Sequence, residues 1–395
     1  MAPIQQLRSR FSGLGMALLL ALSATACGDD HPQSTILPKS DFAEIIHSLY
    51  VDIFWWTMVI LVVVWVGIAY ILVRFRARKG DAKPRQIRGH LGLEIAWTIG
   101  PALIVIAIVI PTIQAVFATQ RPVSDDAMLV EVTGHRFWWE FHYPEEGVTT
   151  ANELRLPVDR PVSLRLGSSD VIHSFWVPQL GGKRDVNPTV AVREGQEPSY
   201  NWLHFTPLET GVYMGQCAEF CGEAHALMGI RVVVEPQADF DAWVGRWQAG
   251  PGQAGPESVA ADTPGPSGGE VRLAAQKEGE TAEEQVTLGR DIFLNQSTCV
   301  ACHAVNGTSA EGRVGPDLSL LGTRTTLGAG LLENTPENLV RWIQDPQGIK
   351  PGAEMPGTEY ALAVPRAGGT IYGWPATGLT DQQVHAVAAY LSSLQ

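Results

Sequence analysis

Two long uncharged apolar runs dominate the hydropathy pattern of the N-terminal part of the chain. They span about 53–73 and 95–117, and each reaches the roughly 20 residues that a helix needs to cross a bilayer. Trp55, Trp56 and Trp97 lie near the ends of these runs, as is typical of side chains at a membrane interface. The pattern predicts a transmembrane helical hairpin rather than buried core helices.

The segment between the two runs, RFRARKGDAKPRQIRGH, is strongly basic, with Asp81 as its only acid. Loops rich in Lys and Arg stay on the cytoplasmic side, so both ends of the hairpin are expected on the outer face. This predicts a multi-pass protein of the bacterial inner membrane, with its later domains on the periplasmic side.

The first residues have the order of a secretory signal: basic, then apolar, then small. We expect a signal peptide over 1–26, followed by an N-terminal segment and the hairpin over 27–120. Cys27 stands where a lipoprotein carries its lipid-modified first residue. Ala24-Thr25-Ala26 also suits an ordinary cleavage site, so lipidation at Cys27 and simple cleavage both stay open.

The pattern changes after the hairpin. Over 121–248, short runs rich in Val, Phe and Trp alternate with Gly, Pro and Asp, which predicts an all-β sandwich or barrel. Over 249–280, the Gly, Pro and Ser content predicts a flexible linker. Over 281–395, helix-like stretches open and close a third domain.

Composition narrows the class of protein. The net charge of -13 argues against nucleic-acid binding, which needs basic patches. Besides Cys27, the cysteines form two close pairs, which is a poor match to a disulfide framework and a good match to two separate prosthetic sites.

The first pair belongs to a C-x3-C-x3-H-x2-M motif containing Cys217, Cys221, His225 and Met228, with His173 upstream. Thiolates, imidazoles and a thioether on a β-domain suit copper in electron transfer. Two thiolates on one loop can bridge two coppers, with the two histidines as terminal ligands. A disulfide between the cysteines and a Cys2His2 zinc site are the alternatives, but both leave Met228 without a role.

The second pair belongs to Cys299-Val300-Ala301-Cys302-His303, the C-x-x-C-H signal of covalent c-type haem attachment. Here Cys299 and Cys302 bind the haem vinyls and His303 binds the iron. Met355, in KPGAEMP, is the candidate sixth ligand, and a His/Met pair raises the haem potential. The alternative is that Met355 is a core residue.

The hairpin, the VIHSFWVPQLGGKRD stretch and the GQCAEFCGEAHALM loop resemble the subunit II family of haem–copper oxidases. The resemblance implies a cupredoxin-like Greek-key β-sandwich with a dinuclear copper centre, CuA, bridged by Cys217 and Cys221. It implies that His173 and Met228 complete one copper, and that His225 and the backbone carbonyl of Glu219 complete the other.

The resemblance implies further roles around this centre. The side chain of Glu219, with Asp185, would bind a magnesium ion at the interface with subunit I. Glu94, which opens the second helix, matches a carboxylate at the mouth of a proton pathway. In GHRFWWEFHY, Phe137 stands where the family often has an electron-accepting tryptophan, followed by Trp138 and Trp139.

The C-terminal domain resembles all-α class I cytochromes c, and in particular the fused cytochrome domains of caa-type oxidases. That family crosses its first and last helices closely, and Gly289, Phe293 and Tyr390 are suitably placed for the crossing.

Together, the resemblances imply a subunit that relays electrons from cytochrome c or a quinol–cytochrome c reductase. The route would run through one covalent haem c and CuA to haem a in subunit I, within a complex that also contains subunit III. Oxygen reduction and proton pumping would occur in subunit I, so no catalytic residue is expected in this chain. The rivals are a nitric oxide reductase complex, a nitrous oxide reductase, a copper-delivery protein and a quinol oxidase, which would lack the copper ligands.

Overall fold

The structure is a computed structural model that describes residues 31–76, 89–120, 126–189, 199–250, 281–365 and 371–395. The helices are α1 (Asp41–Arg74), α2 (Leu91–Thr119), α3 (Gln237–Ala249), α4 (Ala282–Asp291), α5 (Pro336–Gln344), α6 (Pro346–Ile349) and α7 (Asp381–Ser392). The strands are β1 (Met128–His135), β2 (Trp138–Tyr143), β3 (Val148–Ala151), β4 (Glu153–Pro157), β5 (Val162–Ser168), β6 (His173–Trp176), β7 (Arg184–Val186), β8 (Asn201–Phe205), β9 (Gly211–Cys217), β10 (Gly229–Glu235), β11 (Thr326–Leu327), β12 (Leu332–Glu333), β13 (Leu362–Pro365) and β14 (Ile371–Trp374).

Helices α1 and α2 are each long and apolar enough to cross a membrane. At about 1.5 Å per residue, the 34-residue α1 exceeds the roughly 30 Å hydrocarbon core. It begins at Asp41, well before the apolar run, because its first turn packs on the β-domain: Phe42 and Ala43 are buried there. The Asp41 carboxylate also accepts a hydrogen bond from Thr206 N at 2.7 Å. The hairpin is thus joined directly to the domain that follows it.

Two five-stranded sheets form the β-domain, in the orders β3-β2-β1-β5-β8 and β4-β10-β9-β6-β7. The alternating burial along β1 places Met128, Val130 and Val132 in the core between the sheets. The pairs β1–β5 and β4–β10 are parallel, which requires connections that cross between the sheets. The predicted cupredoxin-like sandwich is confirmed, and α3 closes one side with the buried Phe240 and Trp243.

The C-terminal domain is built on the crossing of α4 and α7. A Cβ atom at Gly289 would lie 1.8 Å from the Ala386 carbonyl oxygen, so only glycine permits this approach. Next to it, the rings of Phe293 and Tyr390 lie 5.7 Å apart. The helical cytochrome fold is confirmed, with two short β-ribbons, β11–β12 and β13–β14, added between its helices.

Several predictions fall on residues outside the described ranges. These are the signal peptide over 1–26, lipidation at Cys27, most of the basic loop and all but the first two residues of the linker predicted over 249–280.

Candidate metal and haem centres

Strand pairing assembles the candidate copper site from two distant parts of the sequence. His173 begins β6, Cys217 ends β9, and the antiparallel pairing of these strands places Phe175 opposite Cys217. After Cys217 the chain turns through a loop and re-enters the sheet at Gly229, the start of β10. Cys221, His225 and Met228 belong to this connection, so the predicted ligands meet at one end of the sandwich.

The six predicted copper ligands all converge. The separations are 3.8 Å for Cys217 Sγ–Cys221 Sγ, 3.9 Å for Cys217 Sγ–His173 Nδ1, 3.7 Å for Cys221 Sγ–His225 Nδ1, 3.9 Å for Cys221 Sγ–Met228 Sδ and 3.2 Å for Cys217 Sγ–Glu219 O. His173, Cys217, Cys221 and Met228 are buried, whereas His225 is half-buried. The two sulfur atoms stand between the two imidazoles, as bridging ligands would.

The donor set fits a pair of soft metal ions better than a disulfide. A disulfide needs an S–S length of about 2.05 Å, and the two sulfurs are 3.8 Å apart. Hydrogen bonds with Cys221 and His173 hold the pKa of Cys217 far below that of a free thiol, so a metal-binding thiolate is favoured. Zinc in a Cys2His2 site would leave the Met228 sulfur, only 3.9 Å from Cys221, without a function.

Asp170 orients the upstream histidine. Its Oδ1 lies 2.9 Å from His173 Nε2, which leaves Nδ1 facing Cys217. Burial alone would lower the pKa of His173, but the Asp170 hydrogen bond raises it overall. The ring has room because position 134 is glycine: a Cβ at Gly134 would lie 2.8 Å from His173 Cδ2.

The connection between Cys217 and Gly229, here called the copper loop, has an exposed outer side. Phe220 is 77% exposed, and the side chains of Glu219 and Asp185 are exposed as well. Glu94 lies elsewhere, in the first turn of α2, where its Oε1 accepts a hydrogen bond from His90 N at 3.1 Å. That contact caps the start of the helix. Magnesium binding by Glu219 and Asp185 stays a prediction, and so does the role of Glu94 in proton uptake.

The haem motif lies on a short turn after α4. Cys299–Ala301 form a 3-10 turn, with His303 directly after Cys302. His303 Nδ1 is 2.8 Å from the Pro316 carbonyl oxygen, to which it donates, so Nε2 is the nitrogen available to iron. Burial lowers the pKa of His303, which favours the neutral, metal-binding imidazole. Gly315 makes this packing possible, since a Cβ there would lie 2.7 Å from His303 Cε1.

Met355 shares the hydrophobic cluster of the haem motif. Cys299, Val300 and Met355 are half-buried and pack against the core that contains Phe293 and Tyr390. The structure therefore brings Cys299 and Met355 to one core, while the motif histidine packs on the Gly315 turn.

The three aromatic residues predicted on the electron path have different surroundings. Trp139 is buried edge-on against His173, with ring centroids 5.9 Å apart. Trp138 is half-buried and stacks on His135 at 4.0 Å. Phe137 lies between the copper loop and the cytochrome domain: Cβ atoms built at Gly222 and Gly352 would lie 2.9 and 3.3 Å from its ring.

Sequence reasoning missed Asp170 and the close contacts that Gly134 and Gly315 make with the two candidate ligand histidines. The signal was present for Asp170, an acid three residues before His173 in SSDVIH. No local signal identified Gly134, because its contact with His173 depends on how two strands meet.

Comparisons with known proteins agree with this architecture. Family models match the cytochrome C oxidase subunit II transmembrane domain at residues 38–115, its periplasmic domain at 146–235, and cytochrome c at 286–395. The cytochrome c oxidase subunit 2 of Alkalihalophilus pseudofirmus is 33% identical over 393 residues, which cover 98% of this chain and 97% of that protein.

Other relatives match less of the chain. The cytochrome c oxidase subunit 2 of Bacillus sp. (strain PS3) is 34% identical over 337 residues, 81% of this chain and 80% of that protein. The quinol oxidase subunit 2 of Bacillus spizizenii is 32% identical over 247 residues, 60% of this chain and 74% of that protein. Near-complete coverage, together with the cytochrome c match, shows that this chain belongs to the cytochrome c oxidase subunit II family, in the form that carries a C-terminal cytochrome c domain.

Proposed function

We propose that this chain is the electron-accepting subunit of a bacterial terminal oxidase. It would take electrons at haem c, pass them to a dinuclear copper centre and deliver them to haem a in subunit I. The observation that carries the proposal is that one chain joins two sites, a C-x-x-C-H haem attachment and a buried cluster of two thiols, two imidazoles and a thioether, in domains that contact each other.

The residues of the copper loop, together with His173, would bind the copper ions in positions that the fold already fixes. Cys217 and Cys221 would bridge the two ions, His173 and Met228 would complete one, and His225 with the Glu219 carbonyl would complete the other. Copper bound by such ligands supplies one-electron transfer. The chain's own contribution is rigidity: Asp170 fixes the His173 ring, and strands β6, β9 and β10 fix the ends of the loop.

In the cytochrome domain, Cys299 and Cys302 would bind the haem covalently, and His303 and Met355 would bind its iron. The Pro316 carbonyl holds the His303 ring in the tautomer that presents Nε2. A His/Met pair gives the haem the high potential that an electron carrier needs.

The exposed face of the copper loop suits contact with subunit I. Phe220, at 77% exposure, is an apolar side chain that a partner would cover. Glu219 and Asp185 are the candidates for a magnesium ion at that interface, whose other ligands would come from subunit I. In this proposal the sandwich and the cytochrome domain lie on the periplasmic side of the inner membrane, as the basic segment between the two apolar runs indicates.

Electrons are proposed to reach the chain at the cytochrome domain rather than at the copper domain. The ring of Phe137 packs beside Gly222 of the copper loop and Gly352 of the cytochrome domain, so an external donor has no free access to it. Soluble cytochrome c or a quinol–cytochrome c reductase would therefore donate to the fused haem.

The test is a Cys299→Ala/Cys302→Ala variant of the purified oxidase complex. Copper content and the near-infrared CuA band should match the parent, while oxidation of soluble cytochrome c falls at least about tenfold, a change equivalent to about 1.4 kcal/mol in the barrier. Oxidation at the parental rate would show that the haem is bypassed. Consumption of nitric oxide in place of oxygen by the parent complex would assign the chain to the rival class of reductase.

A further inference from the structure

Two ionisable side chains are buried where the sandwich meets the cytochrome domain. Glu153, at the start of β4, is 2% exposed, and Lys350, which follows α6, is 3% exposed. Burying a charge is costly unless the group is paired or fully hydrogen-bonded. The partners of both side chains therefore matter, and both have partners in the other domain.

Glu153 is a carboxylate of the sandwich that binds the cytochrome domain. Its Oε1 accepts hydrogen bonds from Thr325 N at 2.8 Å, Thr325 Oγ1 at 2.7 Å, Thr326 N at 2.9 Å and Thr326 Oγ1 at 3.0 Å. Charge-assisted bonds of this kind are roughly twice as strong as neutral ones. Four donors from two successive residues also fix the direction from which β11 approaches the sandwich.

Lys350 makes the reciprocal contact from the cytochrome domain. Its Nζ donates to the Phe137 carbonyl oxygen at 2.7 Å and to the Gly328 carbonyl oxygen at 2.9 Å. Burial lowers the pKa of Lys350 to about 7, an effect that nearby Cys221 partly offsets. The amine thus ties the copper domain, through Phe137, to the segment that carries Met355.

As a consequence, the segment of the cytochrome domain that carries Met355 contacts the copper loop. A Cβ at Gly352 would lie 3.0 Å from Glu223 Cβ and 3.3 Å from Ala224 N, both in the copper loop. A third polar link between the domains is the ion pair of Arg136 with Glu354, at 3.2 Å, which lies beside Met355 in the sequence. A fourth is the hydrogen bond that the Gly229 N–H donates to the Ala329 carbonyl oxygen at 3.0 Å. Glu153 and Lys350 therefore act at separate points of one interface, which resists both separation and rotation.

We propose that Glu153 and Lys350 are positioning residues that lock the cytochrome domain onto the copper domain, with the Met355 loop against the copper loop. The rate of electron transfer falls steeply with the separation of donor and acceptor, so a fixed orientation would keep internal transfer fast. This second statement rests on the proposed function, whereas the lock itself does not.

The lock is tested in the whole oxidase complex by inserting a specific protease site into the linker over 251–280. After cleavage, the parent complex should keep its haem-bearing fragment through gel filtration. Loss of buried hydrogen bonds should speed release of that fragment roughly 10- to 100-fold in Glu153→Ala, where they bind a carboxylate, and roughly 2- to 10-fold in Lys350→Met. Glu131→Ala is the matched control, because Glu131 pairs with Arg165 within the sandwich, and it should retain the fragment as the parent does.

If Glu153→Ala fails to fold, a variant of the threonines that donate to Glu153 still tests the lock. Thr325→Val/Thr326→Val removes two donors with little change of shape and should also speed release. Release of the cleaved parent fragment as fast as in these variants would overturn the lock.

Internal electron transfer supplies the second readout. Flash-initiated transfer from haem c to copper should slow in the same variants, while the haem spectrum and the CuA band stay unchanged. If the variants release the fragment rapidly but transfer electrons at the parental rate, the lock has no role in electron transfer. If the haem-less Cys299→Ala/Cys302→Ala complex oxidises cytochrome c normally, the proposed function fails, but the release assay still decides the lock.

Discussion

The copper and haem sites each present an imidazole, and the two histidines are held in related but unequal ways. Each lies against a glycine, His173 against Gly134 and His303 against Gly315. Each has its second nitrogen engaged, His173 with the Asp170 carboxylate at 2.9 Å and His303 with the Pro316 carbonyl at 2.8 Å. The pKa of the first is raised by its acidic partner, and that of the second is lowered by burial.

The difference lies in what a mutation can remove. The copper histidine depends on a side chain, so one substitution at Asp170 releases it. The candidate haem histidine depends on a backbone carbonyl, which no side-chain change removes, and its domain would also gain a covalent bond to haem. We therefore expect the copper site to be the more easily perturbed of the two.

The largest effect is expected from Cys217→Ser. A hydroxyl cannot replace a bridging thiolate, so the variant should lose the near-infrared CuA band and most of its copper. The haem c spectrum should be intact, because Cys217 belongs to the sandwich cluster, whereas Cys299 and Met355 pack on a second cluster that contains Phe293 and Tyr390. Metal analysis and absorption of the purified complex check this, and a retained CuA band would contradict the copper assignment.

Asp170→Ala comes next in expected size. Loss of such an orienting partner typically costs roughly 10- to 100-fold in metal affinity, so copper should be lost to a chelator at much lower concentration. Asp170→Asn keeps an acceptor for His173 Nε2 and should recover most of the affinity. Equal copper retention in the alanine variant and the parent would show that Asp170 does not orient the ring.

The smallest effects are expected from alanine at the two glycines. A Cβ would lie 2.8 Å from the His173 ring in Gly134→Ala and 2.7 Å from the His303 ring in Gly315→Ala, so each ring must shift. Overpacking of this kind costs about 1–3 kcal/mol. Thermal unfolding and the two absorption spectra should show each variant perturbing its own site alone; a change at the other site would mean that the centres are coupled.

Much of this protein was determined by local sequence. Uncharged runs of membrane length predict spanning helices because only apolar side chains are stable in lipid. The spacing C-x-x-C-H predicts haem attachment, because the two thiols and the candidate iron ligand are consecutive along one short turn. Gly289, Phe293 and Tyr390 could be predicted from the resemblance to class I cytochromes c, and the structure brings them together at one helix crossing.

The hydropathy pattern contains no sign of how far α1 extends beyond its apolar run. Its first turn is helical because Phe42 and Ala43 find a surface on the sandwich, and that surface exists only after strands distant in sequence have paired. The pattern of apolar residues predicts which segment of α1 lies in lipid, but it does not predict which residues pack against another domain.

The same limit applies to the meeting of the two domains. Nothing local marks Glu153 or Lys350, since an acid in a strand and a lysine after a helix are ordinary surface residues. Tertiary structure alone decided that both are buried, because their partners, Thr325, Thr326 and Phe137, lie more than 170 residues away along the chain. Motifs determine which groups can bind metal and haem, whereas long-range packing determines how the two centres face each other.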